Sequence, residues 1–228
     1  MKDRETENKK VLKMVEEFYD AAATSFSDTR KYWWDDLQFI SRYVKSYNTV
    51  LDFGCGNGRF LHFCAIPPKK YLGVDISANL IELAQTMHPT HRFIKIDDGK
   101  MSEIKEKFDA VVSIAVFHHM TPAMARNALQ ELYCVIKPGG VIIITAWYLW
   151  NTEKISFLMK SWRRGNWGLM APVPFHGKKK TYQRLCYWWR KKTLEKIVTT
   201  EHFSIVESGI TRGEKGKKRN IYIIAQKK

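Results

Sequence analysis

The sequence contains no C-x-x-C pair: its four cysteines, Cys55, Cys64, Cys134 and Cys186, stand far apart along 228 residues. Such scatter supplies neither a zinc knuckle nor a disulfide framework, so a reducing, cytoplasmic setting is expected and no metal is assigned. A long apolar run is missing as well. The longest stretch, Val141 to Trp150, is interrupted by Thr145 and falls well short of the ~20 residues that span a bilayer. The start, Met1-Lys2-Asp3-Arg4-Glu5, lacks an apolar signal core, and no membrane association is expected. Acidic side chains are scarce relative to basic ones: 23 Asp and Glu against 38 Lys and Arg leave a net charge of +15. An excess of this size favours a polyanionic partner through phosphate contacts and counterion release, with nucleic acid foremost. A basic surface that merely keeps the chain soluble is the plainer alternative.

What is present is the composition of a packed protein, with 45% hydrophobic and 13% aromatic residues. The length suits one α/β domain over residues 1–228. Residues 1–47 precede the main pattern and read as two helices. Val11, Met14, Val15, Phe18 and Ala22 recur at helical spacing, as do Trp34, Leu37, Ile40 and Val44. Thr49 to Phe53 then reads as a strand, followed by a glycine-rich turn and a helix from Arg59 to about Ala65 that stops before Pro67-Pro68. Further strands are expected at Tyr71–Val74, Arg92–Ile96, Phe108–Ala115 and, after Lys137-Pro138-Gly139-Gly140, Val141–Trp147. Helices capped by Ser77 and opened by Thr121-Pro122 lie between them. This alternation predicts an α/β fold built on a doubly wound, mainly parallel sheet. Phe203–Glu207 and Ile221–Ala225 predict a C-terminal antiparallel hairpin. Residues 151–192 break the alternation: eleven Lys or Arg face the single acid Glu153, and eight aromatics are interspersed.

The turn after the first strand runs Leu51-Asp52-Phe53-Gly54-Cys55-Gly56-Asn57-Gly58. Glycines at this place let a ligand approach the backbone closely. Asp75 follows Gly54 by 21 residues, at the end of the next strand, where a carboxylate can hold both ribose hydroxyls. Dinucleotide enzymes continue to G-x-x-G after the second glycine of their fingerprint; this loop reads Gly56-Asn57-Gly58-Arg59 instead. The acidic Asp52 before the first glycine also suits a ligand with a cationic amino acid tail. In this form the loop resembles motif I of class I S-adenosylmethionine-dependent methyltransferases, D-x-G-C-G-x-G. The resemblance implies a Rossmann-like fold with a seven-stranded sheet and S-adenosyl-L-methionine as cofactor. It assigns Asp52, Gly54, Gly56 and Gly58 to the methionine part and Asp75 to the ribose, with Cys55 also among the cofactor-binding residues. Asp97, with Asp98 as its rival, would meet the adenine amino group.

Methyl transfer to an acidic acceptor demands alignment more than a strong base. The fourth strand leads into Ser113-Ile114-Ala115-Val116-Phe117-His118-His119, which places a histidine pair at the carboxyl edge of the sheet, where open α/β sheets bind ligands. Either His118 or His119 could position an acceptor or carry a proton; the structural alternative is a core or capping histidine. Together with Phe26-Ser27-Asp28-Thr29-Arg30, Ala146-Trp147 and Val173-Pro174-Phe175, this segment resembles the tRNA wobble-uridine carboxymethyl methyltransferases. That family esterifies 5-carboxymethyluridine in the anticodon. The resemblance implies tRNA as partner and puts Arg30, one of the two histidines and Trp147 at the acceptor site. It also implies, for many members, a small zinc-binding activator subunit that pairs along a sheet edge. Where the family has Tyr-Tyr-His before its last helix, this chain has Leu185-Cys186-Tyr187.

Cations interleaved with rings suit RNA, so Arg163, Arg164, Lys178, Lys179, Lys180 and Arg190 are the candidate RNA contacts. Burial of the rings under a solvated basic surface is the competing reading. Two other functions stay open at this point. One is a small-molecule methyltransferase with an aromatic lid; the other is a non-catalytic RNA-binding protein on the same fold.

Overall fold

A computed structural model describes residues 2–29, 34–46, 48–97, 101, 104–165, 168–177, 180–213 and 218–228. Helix α1 (Lys2–Asp28) extends the expected Val11–Ala23 helix at both ends and buries Val11, Val15, Phe18 and Ala22 along one stripe. The second expected helix is a 3-10 segment, Asp35–Arg42, in which Leu37 and Ile40 are fully buried. Their separation of three residues is the repeat that a three-residue turn places on one face.

The main body follows the predicted alternation: β1 (Val50–Phe53), β2 (Tyr71–Asp75), α2 (Ala78–Met87), β3 (Arg92–Lys95), β4 (Phe108–Ile114), α3 (Pro122–Val135) and β5 (Ile136–Trp147). Ser77 and Thr121 cap α2 and α3 by accepting from Leu80 N and Met124 N. The helix expected from Arg59 to about Ala65 is reduced to a 3-10 turn, Arg59–His62. Too few residues separate the glycine turn from Pro67-Pro68 to form a stable α-helical nucleus. Strand β5 starts earlier than Val141 and takes in the Lys-Pro-Gly-Gly segment, where its register against β4 shifts between Phe108 and Ala110.

Seven strands form one sheet in the order β3-β2-β1-β4-β5-β9-β8, closed by β8 (Phe203–Arg212) and β9 (Lys218–Lys227) after α5 (Lys191–Thr200). β1 to β5 pair in parallel, whereas β9 runs antiparallel to both β5 and β8. Both faces are covered. Leu129, Leu132, Leu194 and Val198 from α3 and α5 lie in one apolar cluster, and Leu37, Ile40, Ile81 and Ala84 lie in the other.

Residues 151–192 hold structure that periodicity did not show. α4 (Thr152–Arg163) is followed by a separate antiparallel pair, β6 (Met170–His176) and β7 (Thr181–Tyr187). Here the structure favours the packed reading of the rings. Trp188 and Trp189 are completely buried and Phe175 nearly so, which leaves those rings unavailable for stacking on bases. The Trp189 indole N–H donates to the Phe117 carbonyl at 2.8 Å, tying this region to the sheet edge.

The first 3-10 segment is anchored to the terminal hairpin by Asp36, whose side chain is 2% exposed. Asp36 accepts from Thr211 Oγ1 and Asn220 Nδ2, with the Arg219 guanidinium at 3.7 Å. Removing the carboxylate strands two buried donors. Asp36→Ala is therefore expected to lower unfolding stability by about 2 kcal/mol, read as a lower urea midpoint with an unchanged slope.

Candidate active site

The carboxyl edge of the parallel strands opens into a cleft of about 1090 Å³, a volume that includes its open mouth. Each wall comes from a strand end. Asp52 closes β1 and Asp75 closes β2; Ala115 to His119 follow β4, and Trp147 ends β5. α1 lies across the mouth and contributes Leu12, Val15, Tyr19 and Phe26 to the lining.

The glycine turn is positioned by backbone bonds from Gly54 N and Cys55 N to the Val74 carbonyl, at 2.8 and 3.0 Å. Gly54 has φ +77°, and a Cβ there would stand 2.3 Å from Val116 Cγ2. Gly56 has φ +55°, but an added Cβ would meet nothing nearer than Phe26 Cε1 at 3.9 Å, so its surface faces open space. Asp75 is held at both oxygens: Gly56 N donates to Oδ2 at 2.8 Å and Ser77 N to Oδ1 at 2.9 Å. Burial still raises its pKa, against those two amide bonds. Asp52 receives the Tyr71 hydroxyl at 2.8 Å, and burial pushes its pKa up to about 7 despite that bond.

Ala115 adopts φ 60°, uncommon for a residue with a Cβ, while its N–H donates to Thr145 Oγ1 at 2.8 Å. This bend delivers the histidine pair to the cleft. The two histidines then divide. His119 Nδ1 lies 2.6 Å from the Leu185 carbonyl, which can only accept, so Nδ1 carries the proton and Nε2 accepts from the Tyr19 hydroxyl at 2.8 Å. Burial drives the His119 pKa down to about 4, and the ring is neutral and locked at physiological pH. His118 stacks on Trp147 with centroids 4.4 Å apart and planes 12° apart. His118 is thus the histidine packed on Trp147, another residue of the cleft lining.

Of the expected cofactor residues, Asp52, Gly54, Cys55, Gly56 and Asp75 line the cleft together, as do His118, His119 and Trp147. Gly58 does not. Its φ of +77° and the 2.8 Å approach of His88 Cδ2 to an added Cβ make it a packing glycine. Asp97 is also outside: its side chain is 90% exposed and paired with Lys95, while Ile96 lines the cleft instead. A carboxylate is better satisfied by that cation and water than by an apolar wall. Arg30, Asp98, Lys178 and Lys179 lie outside the described residues. Arg163, Arg164, Lys180 and Arg190 are exposed, the last two over the Tyr182 and Trp150 rings at 4.7 and 5.3 Å.

Sequence reasoning missed Tyr19, Asp20, Asn57 and Trp34. Asp20 accepts from Ser77 Oγ at 2.6 Å, which joins α1 to the start of α2, and Asn57 donates to Ser27 Oγ at 2.8 Å, which joins α1 to the glycine turn. Arg59 sits over the Trp34 ring at 4.3 Å and tempers the charge of Asp52. No local pattern marks these long-range pairs. His118, His119 and Cys186 bring ligand atoms within 4.8 Å of one another, but their chemistry opposes a cation. Both nitrogens of His119 are engaged, the Cys186 thiol is pushed up to about 12 by burial, and the Arg184 guanidinium bears on both groups.

Residues 50–140 match a family described as a methyltransferase domain. The fold agrees with a methyltransferase structure from Methanosarcina mazei described as S-adenosylmethionine-dependent, with TM-score 0.67, 21% identity, and coverage of 83% of this chain and 96% of that one. The fold is thus that of class I S-adenosylmethionine-dependent methyltransferases. More narrowly, the chain is similar to a tRNA (carboxymethyluridine(34)-5-O)-methyltransferase of Arabidopsis thaliana, 36% identical over 150 residues. That match covers 65% of this chain and 36% of the relative. A Schizosaccharomyces pombe protein of the same name is 28% identical over 93% of this chain and 96% of its own length. The chain therefore spans about a third of one relative and nearly all of the other.

The cleft suits S-adenosylmethionine on its own chemistry. Two buried carboxylates offer charge to a cationic tail and acceptors to a ribose diol, beside a turn where Gly56 leaves room for close approach. Two predictions follow from this geometry. Gly54→Ala, which forces a Cβ into Val116, is expected to weaken S-adenosylmethionine binding about tenfold or more in calorimetry. The second concerns pH. Because the folded pKa of Asp52 lies above its unfolded value of 3.8, ionising it destabilises the unliganded protein as pH rises from about 4 through about 7. A bound cation favours the ionised form. Affinity should accordingly rise from about pH 6 to about pH 8 and level off, and Asp52→Asn should flatten that profile.

Proposed function

We propose that this chain methylates the carboxylate of 5-carboxymethyluridine at the tRNA wobble position, using S-adenosylmethionine. The observation that carries the reading is that a single cleft is lined both by Asp52 and Asp75 and by His118 and Trp147. Cofactor and acceptor therefore share one enclosure, as direct transfer requires. When bound, the cofactor supplies an electrophilic sulfonium methyl, which an ionised carboxylate takes by in-line displacement without releasing a proton. No strong base is needed, in keeping with a locked, neutral His119.

In this reading Asp52 and the turn at Gly54 and Gly56 hold the methionine end, and Asp75 holds the ribose. Tyr19 and Phe26 of α1 close the mouth and exclude water. His118 and Trp147 form one stacked wall that orients the acceptor. Arg30 contributes by family resemblance. The cations at Arg163, Arg164, Lys178, Lys179, Lys180 and Arg190 follow the phosphate backbone. A small zinc-binding activator would pair along a sheet edge; β3 stands at one end of the described strand order.

A second reading draws on one specific finding, the burial of Trp188, Trp189 and Phe175 in the basic segment. A packed aromatic cap also suits a small apolar acceptor. The two readings separate on RNA affinity. Replacing Lys178, Lys179 and Lys180 together with alanine is expected to weaken tRNA binding about tenfold at roughly 0.1 M salt, with S-adenosylmethionine affinity unchanged. Equal tRNA binding by that variant favours the small-molecule reading. Mass spectrometry of wobble nucleosides from cells lacking the protein should show the methyl ester lost and its acid precursor accumulated; an unchanged profile refutes the tRNA assignment.

A further inference from the structure

Arg184 occupies an inward position of β7, opposite Val173 of β6, where strand alternation calls for an apolar side chain. Only 6% of it is exposed. Its guanidinium carbon lies 4.1 Å from the Trp147 ring and 5.4 Å from the Phe175 ring. Nε and Nη1 are fully out of solvent and meet no hydrogen-bond acceptor among the described residues. Rings attract a cation but do not satisfy its N–H donors in the way a carboxylate does.

No neighbour among the described residues neutralises it. His119 is uncharged and turns its protonated nitrogen toward the Leu185 carbonyl, the next residue along β7. Cys186, two residues on and also buried, stays a thiol. A buried guanidinium without a counterion is expensive to keep. Arg184 does not itself line the cleft, but it lies directly against Trp147, which does, and a guanidinium's planar N–H donors are the standard fit for a carboxylate.

We infer that Arg184 is the residue that recognises the acceptor's carboxylate and makes the site select an acid over its neutral analogues. The inference rests on the tRNA reading above and adds to it a specificity-determining residue. An ionised acceptor brings the missing charge and accepts from the orphaned donors. During transfer, one carboxylate oxygen forms the new bond to the methyl carbon, and the carbon–sulfur bond breaks with its electron pair going to sulfur. The product ester is neutral, so the ion pair with Arg184 is lost and the product is released more readily than the substrate is held. Such pairing stabilises the bound acid before reaction, so Arg184 acts mainly on KM and on substrate choice.

The test compares two tRNAs that differ only at the wobble base, one carrying 5-carboxymethyluridine and the other the isosteric 5-carbamoylmethyluridine. Binding is measured in the presence of S-adenosylhomocysteine. The unaltered protein is expected to prefer the acid by about 10- to 100-fold, the effect of charge-assisted hydrogen bonds in a buried site. Arg184→Gln should bring the ratio close to one, leaving S-adenosylmethionine affinity and binding of the amide tRNA unchanged; a purely structural role would lower those two and spare the ratio. A Gln variant that keeps the full preference overturns the inference. For a variant that fails to fold, the unaltered protein gives the answer: the Arg184 Nε–H resonance should shift with the acid anticodon stem-loop and stay put with the amide one, and equal responses overturn the inference. Methyl transfer that proceeds without any acid preference sinks Arg184 alone. Absence of methyl transfer to the acid tRNA sinks the underlying tRNA reading.

Discussion

Two carboxylates with little water around them, at the ends of adjacent parallel strands, are the constraint on which this molecule turns. Asp52 and Asp75 are 2% and 8% exposed, and each is held in place by a donor from the turn or from the sheet itself. Ionised carboxylates in such surroundings are unfavourable unless a cation or a set of hydrogen bonds meets them. Their register on β1 and β2, the backbone bonds of the glycine turn and the partial countercharge of Arg59 all serve to keep that unfavourable pair aimed at one space. A ligand with a positive tail and a sugar diol satisfies both groups together.

The basic segment resolves a second conflict. Eleven cations within residues 151–192 repel one another, yet the same stretch carries enough aromatic surface to build a core of its own. The chain separates the two by forming α4 and the β6-β7 pair. Trp188, Leu158 and Val173 pack inside, while Arg163, Arg164, Lys180 and Arg190 remain in solvent. Burial of the rings supplies the stabilisation, and the exposed cations supply a field for a polyanion. Arg184 breaks this sorting: it is a cation on the apolar side, against Trp147 of the cleft lining.

Local pattern carried much of the architecture. Strand positions, the caps at Ser77 and Thr121 and the closing hairpin were legible because each rests on periodicity or on one residue's local chemistry. The turn before Pro67-Pro68 was misjudged because helical spacing says nothing of whether enough residues remain to complete a helix. The β6-β7 pair escaped because its alternation is broken by Pro172 and Pro174 and by buried Arg184. Gly58 and Asp97 were assigned by motif position, but the space around them went to His88 in one case and to Lys95 in the other.

By itself the sequence determined the class of ligand, since glycines between a strand and a turn, followed by acids at strand ends, can be read along the chain as donors, acceptors and open space. It also determined the sign of the chain's own charge, +15. Tertiary structure alone decided which histidine is locked by hydrogen bonds at both nitrogens, that α1 lies across the glycine turn and that Arg184 stands against Trp147. The His119 contacts to Tyr19 and Leu185 span 100 and 66 residues, and no local spacing encodes partners so distant. Those choices follow from packing, where a proton or a charge goes to whichever neighbour the folded chain brings within reach.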